Sequence, residues 1–136
     1  MADATVEEGN CGVTHTVLVV DDEPNIVLSL EFLMEQAGHD VRIARNGEQA
    51  LAAIRADKPD LILLDIMMPE PDGFSVCKSV RGDPALQDIP IIMLTAKGRE
   101  AERELGLAAG ATDFITKPFS NRDVVERVDA LLTRSG

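Results

Sequence analysis

No stretch of this 136-residue sequence reaches the roughly 20 consecutive apolar residues needed to cross a bilayer, so no membrane span is expected. No basic segment leading into an apolar run opens the chain, so no secretory signal is read and a cytoplasmic address is the default. Positive charge is scarce: 13 Lys and Arg stand against 24 Asp and Glu, a formal net charge of −11. That deficit argues against direct nucleic-acid binding by this chain, which depends on Lys and Arg neutralising phosphates. Cysteine is reduced to Cys11 and Cys77, with no metal-ligand spacing. Cys77, inside an amphipathic segment, reads as a small buried hydrophobe, and Cys11 as a free thiol in a loose tail.

What is present suits one globular domain. Apolar residues make up 45% and charged residues 27% of the chain, a folded rather than disordered composition, and the length fits a single core. Residues 1–15 show no periodicity and read as a flexible N-terminal tail; residues 16–134 read as the domain. Four short apolar runs predict buried strands: Thr16–Val20, Leu61–Leu64, Ile89–Leu94 and Asp113–Thr116. A shorter fifth is expected at Val41–Ala44. Pro90 is tolerable at a strand start.

Helical periodicity fills the gaps. Ile26, Val27, Leu30, Leu33, Met34 and Ala37 form one stripe, opened by Pro24 and closed by Gly38. Ala50, Leu51 and Ile54 form a second, capped by Asn46 with Gln49 three residues on. Phe74, Cys77 and Val80 form a third; Leu105, Leu107 and Ala108 a fourth, ended by Gly110. Val124, Val125, Val128, Leu131 and Leu132 form a fifth, capped by Ser120. Strands that are apolar at every position, alternating with helices, predict an α/β fold with a doubly wound parallel sheet and helices on both faces. In such folds ligands sit beyond the carboxyl ends of the strands.

Those ends are chemically unusual. The first strand runs into Asp21, Asp22 and Glu23, the second strong run into Asp65, the third into Thr95, and the last into Lys117 and Pro118. If the strands are parallel, three carboxylates, a hydroxyl and an ammonium meet at one sheet edge. Two carboxylates about 5 Å apart repel by roughly 3 kcal/mol at an effective dielectric near 20, so positive charge must compensate or a proton must bind. Lys117 supplies one charge. Oxygen-only ligands without nearby His or Cys point to a hard dication, magnesium with manganese as the substitute. Carboxylates, a cation, a lysine and a hydroxyl suit phosphoryl transfer. With no Ser or Cys nucleophile at the centre, the available covalent route is an acyl phosphate on a carboxylate.

The segments VLVVDDEP, LILLDIMMPEPDGF, IIMLTA and GATDFITKPF, in this order and spacing, resemble the receiver domains of two-component response regulators over about Thr16 to Leu132. The resemblance implies a flavodoxin-like strand order 2-1-3-4-5 and a signalling domain rather than an enzyme. Asp65 would be the phosphoacceptor, receiving its phosphoryl group from a sensor histidine kinase or a histidine phosphotransfer protein. Asp22 would bind magnesium directly, Asp21 mainly through water, and Met67 through its backbone carbonyl. Thr95 would hydrogen-bond the phosphoryl oxygens and Lys117 would pair with them. Pro118 would follow a cis peptide, and Gly73 would serve a tight turn.

Phe114 falls at the aromatic switch position, where many relatives carry Tyr. Without a hydroxyl its ring is expected to favour an inward rotamer even in the absence of phosphate. Met67 and Lys97 would gate water access to the phosphoryl group. The fourth helix, fifth strand and fifth helix carry Glu102, Arg103, Glu104, Asp113, Arg122, Asp123, Glu126 and Arg127. These could pair across a homodimer or simply be solvated. Glu23 reads as a helix cap, and His15 and His39 as surface residues. Two rivals are weighed: a phospho-independent receiver-like interaction module, and a phosphatase with an aspartate nucleophile. The latter would need a second acid where Met67 stands, and a capping insertion.

Overall fold

The computed structural model describes residues 15–68, 71–96 and 100–135. The expectations for the tail, for Cys11 and for Lys97 lie outside them. Five strands and five helices alternate: β1 (Thr16–Val20), α1 (Pro24–Gln36), β2 (Asp40–Ala44), α2 (Gly47–Ala56), β3 (Leu61–Asp65), α3 (Gly73–Arg81), β4 (Ile91–Ala96), α4 (Glu100–Ala109), β5 (Asp113–Lys117) and α5 (Asn121–Ser135). The sheet is parallel throughout, in the order β2-β1-β3-β4-β5. This is the expected doubly wound fold with order 2-1-3-4-5. Among the described residues no helix is long and apolar enough to cross a membrane.

Alternate side chains of each strand go to opposite faces, so strands apolar at every position build two cores. Val17, Val19, Leu61, Leu63, Ile92, Leu94 and Ile115 pack with residues of α1 and α5. Leu18, Val20, Ile62, Leu64, Ile91 and Met93 pack with α2, α3 and the end of α4. Cys77 is fully buried on that second face, its Sγ donating to the Ala109 carbonyl at 3.3 Å.

Local chemistry sets the helix ends. Asn46 Oδ1 accepts the Gln49 N–H at 2.8 Å, and the Gln49 side chain reaches back to the N–H of Arg45, one residue before the cap. Ser120 Oγ accepts the Asp123 N–H at 3.0 Å. At the end of α1 the His39 N–H reaches the Met34 carbonyl and the Gly38 N–H that of Glu35, both at 3.0 Å. That closure needs a left-handed residue, and Gly38 has φ +92°.

Three readings are corrected. Glu23 holds the cap position of α1 but its side chain makes no cap hydrogen bond; its own N–H donates instead to Asp21 Oδ1 at 2.9 Å. A glutamate is longer than the Ser, Thr, Asp and Asn side chains that cap well. The fourth strand starts at Ile91, after Pro90, and runs through Thr95 to Ala96, because the ladder with β5 continues to Ala96 opposite Lys117. His39 is not a surface residue: its side chain is only 9% exposed, 3.5 Å from Asp129, with its ring edge-on to His15.

Candidate functional site

Parallel register turns five separated residues into neighbours. Asp65, last in β3, lies opposite Leu94, so Thr95 stands one step beyond it on β4; Ala96 in turn lies opposite Lys117 on β5. Asp21 and Asp22 follow β1, whose Val20 pairs with Leu64. Asp21 is fully buried, Asp65 is 3% exposed and Thr95 is buried, while Asp22 is exposed at the rim. Ligand oxygens of Asp21, Asp22 and Asp65 all lie within 4.8 Å of one another.

Lys117 closes the cluster. Its Nζ donates to Asp21 Oδ2 at 3.0 Å and to Asp65 Oδ1 at 3.4 Å. The Met67 N–H also donates to Asp65 Oδ1, at 3.2 Å. Both Asp21 oxygens are therefore hydrogen-bonded within the protein, one to Lys117 and one to the Glu23 N–H.

Three carboxylates around one ammonium are not balanced, and the acidity of Asp65 shows it. Burial, and then the charge of Asp21, push its pKa from 3.8 to about 6, against the opposing pull of Lys117 and the Met67 N–H. Burial works against the Lys117 charge, but its hydrogen bond to Asp21 and the charge of Asp65 outweigh that, and its pKa is raised. The surplus of two negative charges and the all-oxygen donor set fit one hard dication.

Other residues singled out in the sequence fall elsewhere. The Met67 side chain is 54% exposed beside the site. Phe114 lies outside the acidic cluster, buried on the α4 side of β5 with its ring inward. The Lys117–Pro118 peptide is cis. Much of the charge on α5 and β5 is paired within the chain: Arg127 holds Asp113 at 2.9 Å and Asp123 at 3.0 Å, and Arg122 holds Glu126 at 2.9 Å.

Gly73 is needed for a reason other than a turn. It is the first residue of α3, and a Cβ there would lie 2.5 Å from the Asp65 carbonyl oxygen and 2.9 Å from Ile66 Cα. Those are backbone atoms at the end of β3 and just beyond it, and they cannot swing aside. Gly73→Ala is expected to destabilise the domain by about 1–3 kcal/mol, in the range of core overpacking. A urea midpoint within error of the parent would refute this.

Residues 17–129 match the response regulator receiver domain family. The chain is 50% identical over 119 residues to the alkaline phosphatase synthesis transcriptional regulatory protein PhoP of Bacillus subtilis, covering 88% of this chain and 49% of that protein. It is 48% identical over 124 residues to the phosphate regulon transcriptional regulatory protein PhoB of Pseudomonas aeruginosa, covering 91% and 54%. It thus spans about half the length of these relatives. Among solved structures it is similar to a response regulator from Chloroflexus aurantiacus, with TM-score 0.86, 40% identity, and 89% of this chain and 99% of that one covered. It is also similar to the receiver domain of a sensor histidine kinase from Pseudomonas aeruginosa, solved with a magnesium ion in its active-site cleft. There the TM-score is 0.82 at 28% identity, with 88% and 99% covered. Sequence, strand order and the acidic strand-end cluster agree: the chain belongs to the response regulator receiver domain family.

Proposed function

We propose that the domain takes a phosphoryl group on Asp65 from the phosphohistidine of a sensor histidine kinase or histidine phosphotransfer protein, and that this modification is its signal. The observation that carries the reading is the buried Asp65 carboxylate, raised in pKa and held by Lys117 and the Met67 N–H. Both donors hold Oδ1, which leaves Oδ2 as the attacking oxygen. The Oδ2–phosphorus bond forms as the phosphorus–nitrogen bond breaks, and the imidazole leaves with the electron pair.

Asp21, Asp22, Asp65 and the Met67 carbonyl would hold magnesium, or manganese in its place, which when bound supplies charge neutralisation for the phosphoryl oxygens. The internal bonding of Asp21 supports assigning direct contact to Asp22 and a water-mediated role to Asp21. Lys117 pairs with a phosphoryl oxygen, and Thr95 donates its hydroxyl to another. Domain and phosphodonor thereby share the work of positioning.

The test is incubation with acetyl phosphate and magnesium, read by intact mass. A phosphoryl adduct on the parent and none on Asp65→Asn is expected. An adduct that persists on Asp65→Asn would put the phosphoryl group on another residue, and none on the parent would favour the phospho-independent interaction module. Because protons and metal compete for Asp65, magnesium affinity should hold above pH about 6 and weaken as pH falls below it. An affinity unchanged between pH 7.5 and 5, followed by calorimetry (pH values chosen to bracket the titration of Asp65), would remove Asp65 from the metal site.

The relatives are transcriptional regulatory proteins about twice as long as this chain. A net charge of −11 supports the reading that this domain does not itself contact DNA. A homodimer through α4, β5 and α5 could use Arg127–Asp113 and Arg122–Glu126 only by exchanging them across a twofold axis, because both pairs are satisfied within one chain.

A further inference from the structure

Gly106 sits inside α4, three residues before its end, where glycine costs roughly 1 kcal/mol against alanine in helix propensity. The neighbourhood explains the choice. A Cβ at Gly106 would lie 2.7 Å from Phe114 Cε2, 2.9 Å from its Cζ and 2.8 Å from Met93 Sδ. The ring of Phe114 fills the space a side chain would take. Arg103, one helical turn before Gly106, lays its guanidinium carbon 5.2 Å from the centroid of the same ring, within the range of a cation–π contact.

We propose that Gly106 and Arg103 form a seat for the Phe114 ring, Gly106 as its floor and Arg103 as its lid, and that this seat sets how readily the ring moves between buried and exposed positions. All three residues belong to α4 or β5, so an outward ring would both empty the floor and free the Arg103 cation. The charged surface of α4 then changes with ring position. The regulatory meaning of the seat rests on the reading of Phe114 as the residue that reports phosphorylation; its existence does not.

Steric fit fixes the sign of two stability changes. With Phe114 present, Gly106→Ala forces the ring out and lowers the unfolding midpoint in urea. With Phe114→Ala, the floor is vacant, Met93 can turn its flexible end away, and the same Gly106→Ala raises the midpoint through helix propensity. The ring itself is followed by fluorine NMR on the chain carrying fluorinated phenylalanine, without metal or phosphodonor. Its four Phe residues give resolvable lines, and that of Phe114 is assigned by its loss in Phe114→Leu.

A soluble paramagnetic probe should broaden the Phe114 line several-fold more in Gly106→Ala than in the parent, and Arg103→Ala should broaden it to an intermediate degree while Arg103→Lys does so less. A midpoint change of the same sign in both backgrounds, or a Phe114 line that stays protected in Gly106→Ala, would overturn the seat. Should Gly106→Ala alone fail to fold, the double variant decides. It must be at least as stable as Phe114→Ala, and if it is weaker the seat is wrong. Acetyl phosphate with magnesium is added only afterwards. A seat that passes these tests but a ring unmoved by modification of Asp65 would sink the switch reading and leave the seat standing.

Discussion

Asp65→Asn is expected to abolish phosphoryl uptake and, in the metal-free protein at neutral pH, to raise stability. The two effects share one cause. A folded-state pKa of about 6 against 3.8 means that folding raises the proton affinity of this carboxyl, so its ionised form is disfavoured in the native state. Between those two values the folded chain holds more protons than the unfolded one, and stability therefore falls as pH rises through this window. Below pH about 4 the group is neutral in both states and costs nothing.

Above pH about 6 the full difference applies, on the order of 3 kcal/mol. Asparagine keeps the shape and an oxygen for Lys117 and the Met67 N–H, but carries no charge to repel Asp21. The variant should therefore melt several degrees higher than the parent at pH 7.5 without metal, and the gap should close as pH falls towards 4. Saturating magnesium should narrow it from the other side by stabilising the parent. Equal melting temperatures of the two proteins at pH 7.5 in chelator would show that Asp65 is not the strained group.

Arg81→Met should be strongly destabilising although it lies away from the site. Arg81 Nε donates to the Gly110 carbonyl at 2.7 Å, Nη1 to those of Gln87 at 2.9 Å and Ile89 at 2.7 Å, and Nη2 to Thr112 Oγ1 at 3.2 Å. Thr112 Oγ1 in turn accepts the Ile91 N–H at 3.0 Å. One guanidinium thus ties the end of α3 to the loops before β4 and β5, at the sheet edge opposite Asp65. Methionine keeps the apolar stem but leaves three carbonyls to find water, a loss of about 3 kcal/mol.

For a domain of this size that lowers the melting temperature by about 10 °C. Arg81→Lys should recover little of it, since a single ammonium cannot span four acceptors. Phosphoryl uptake below the transition should be unchanged, which separates this variant from those in the acidic cluster. A shift under about 1 kcal/mol would mean that solvent replaces the clamp.

The elements were largely legible before any coordinates because their cause is local. Strands apolar at every position can only be buried on both faces, and Pro24, Asn46, Ser120 and Gly38 mark helix ends by their own chemistry. The errors arose where the deciding neighbour is distant. The true end of β4 depends on its ladder with β5. His39 was judged by its place after Gly38, whereas its burial depends on Asp129 and His15. Gly106 lies within an amphipathic stripe, and the cost of a mid-helix glycine is a readable signal that something approaches closely there.

The apolar runs alone announce which polar residues gather at the carboxyl edge of the sheet, and with them the family. How their charges are shared is settled by the fold. Both oxygens of Asp21 are engaged, Asp65 is left short of positive charge, and Phe114 finds its place because Gly106 has no side chain. The physical reason is range: hydrophobic period and capping act over a few residues, whereas electrostatic balance and steric fit depend on distances between segments that only the register of the sheet brings together.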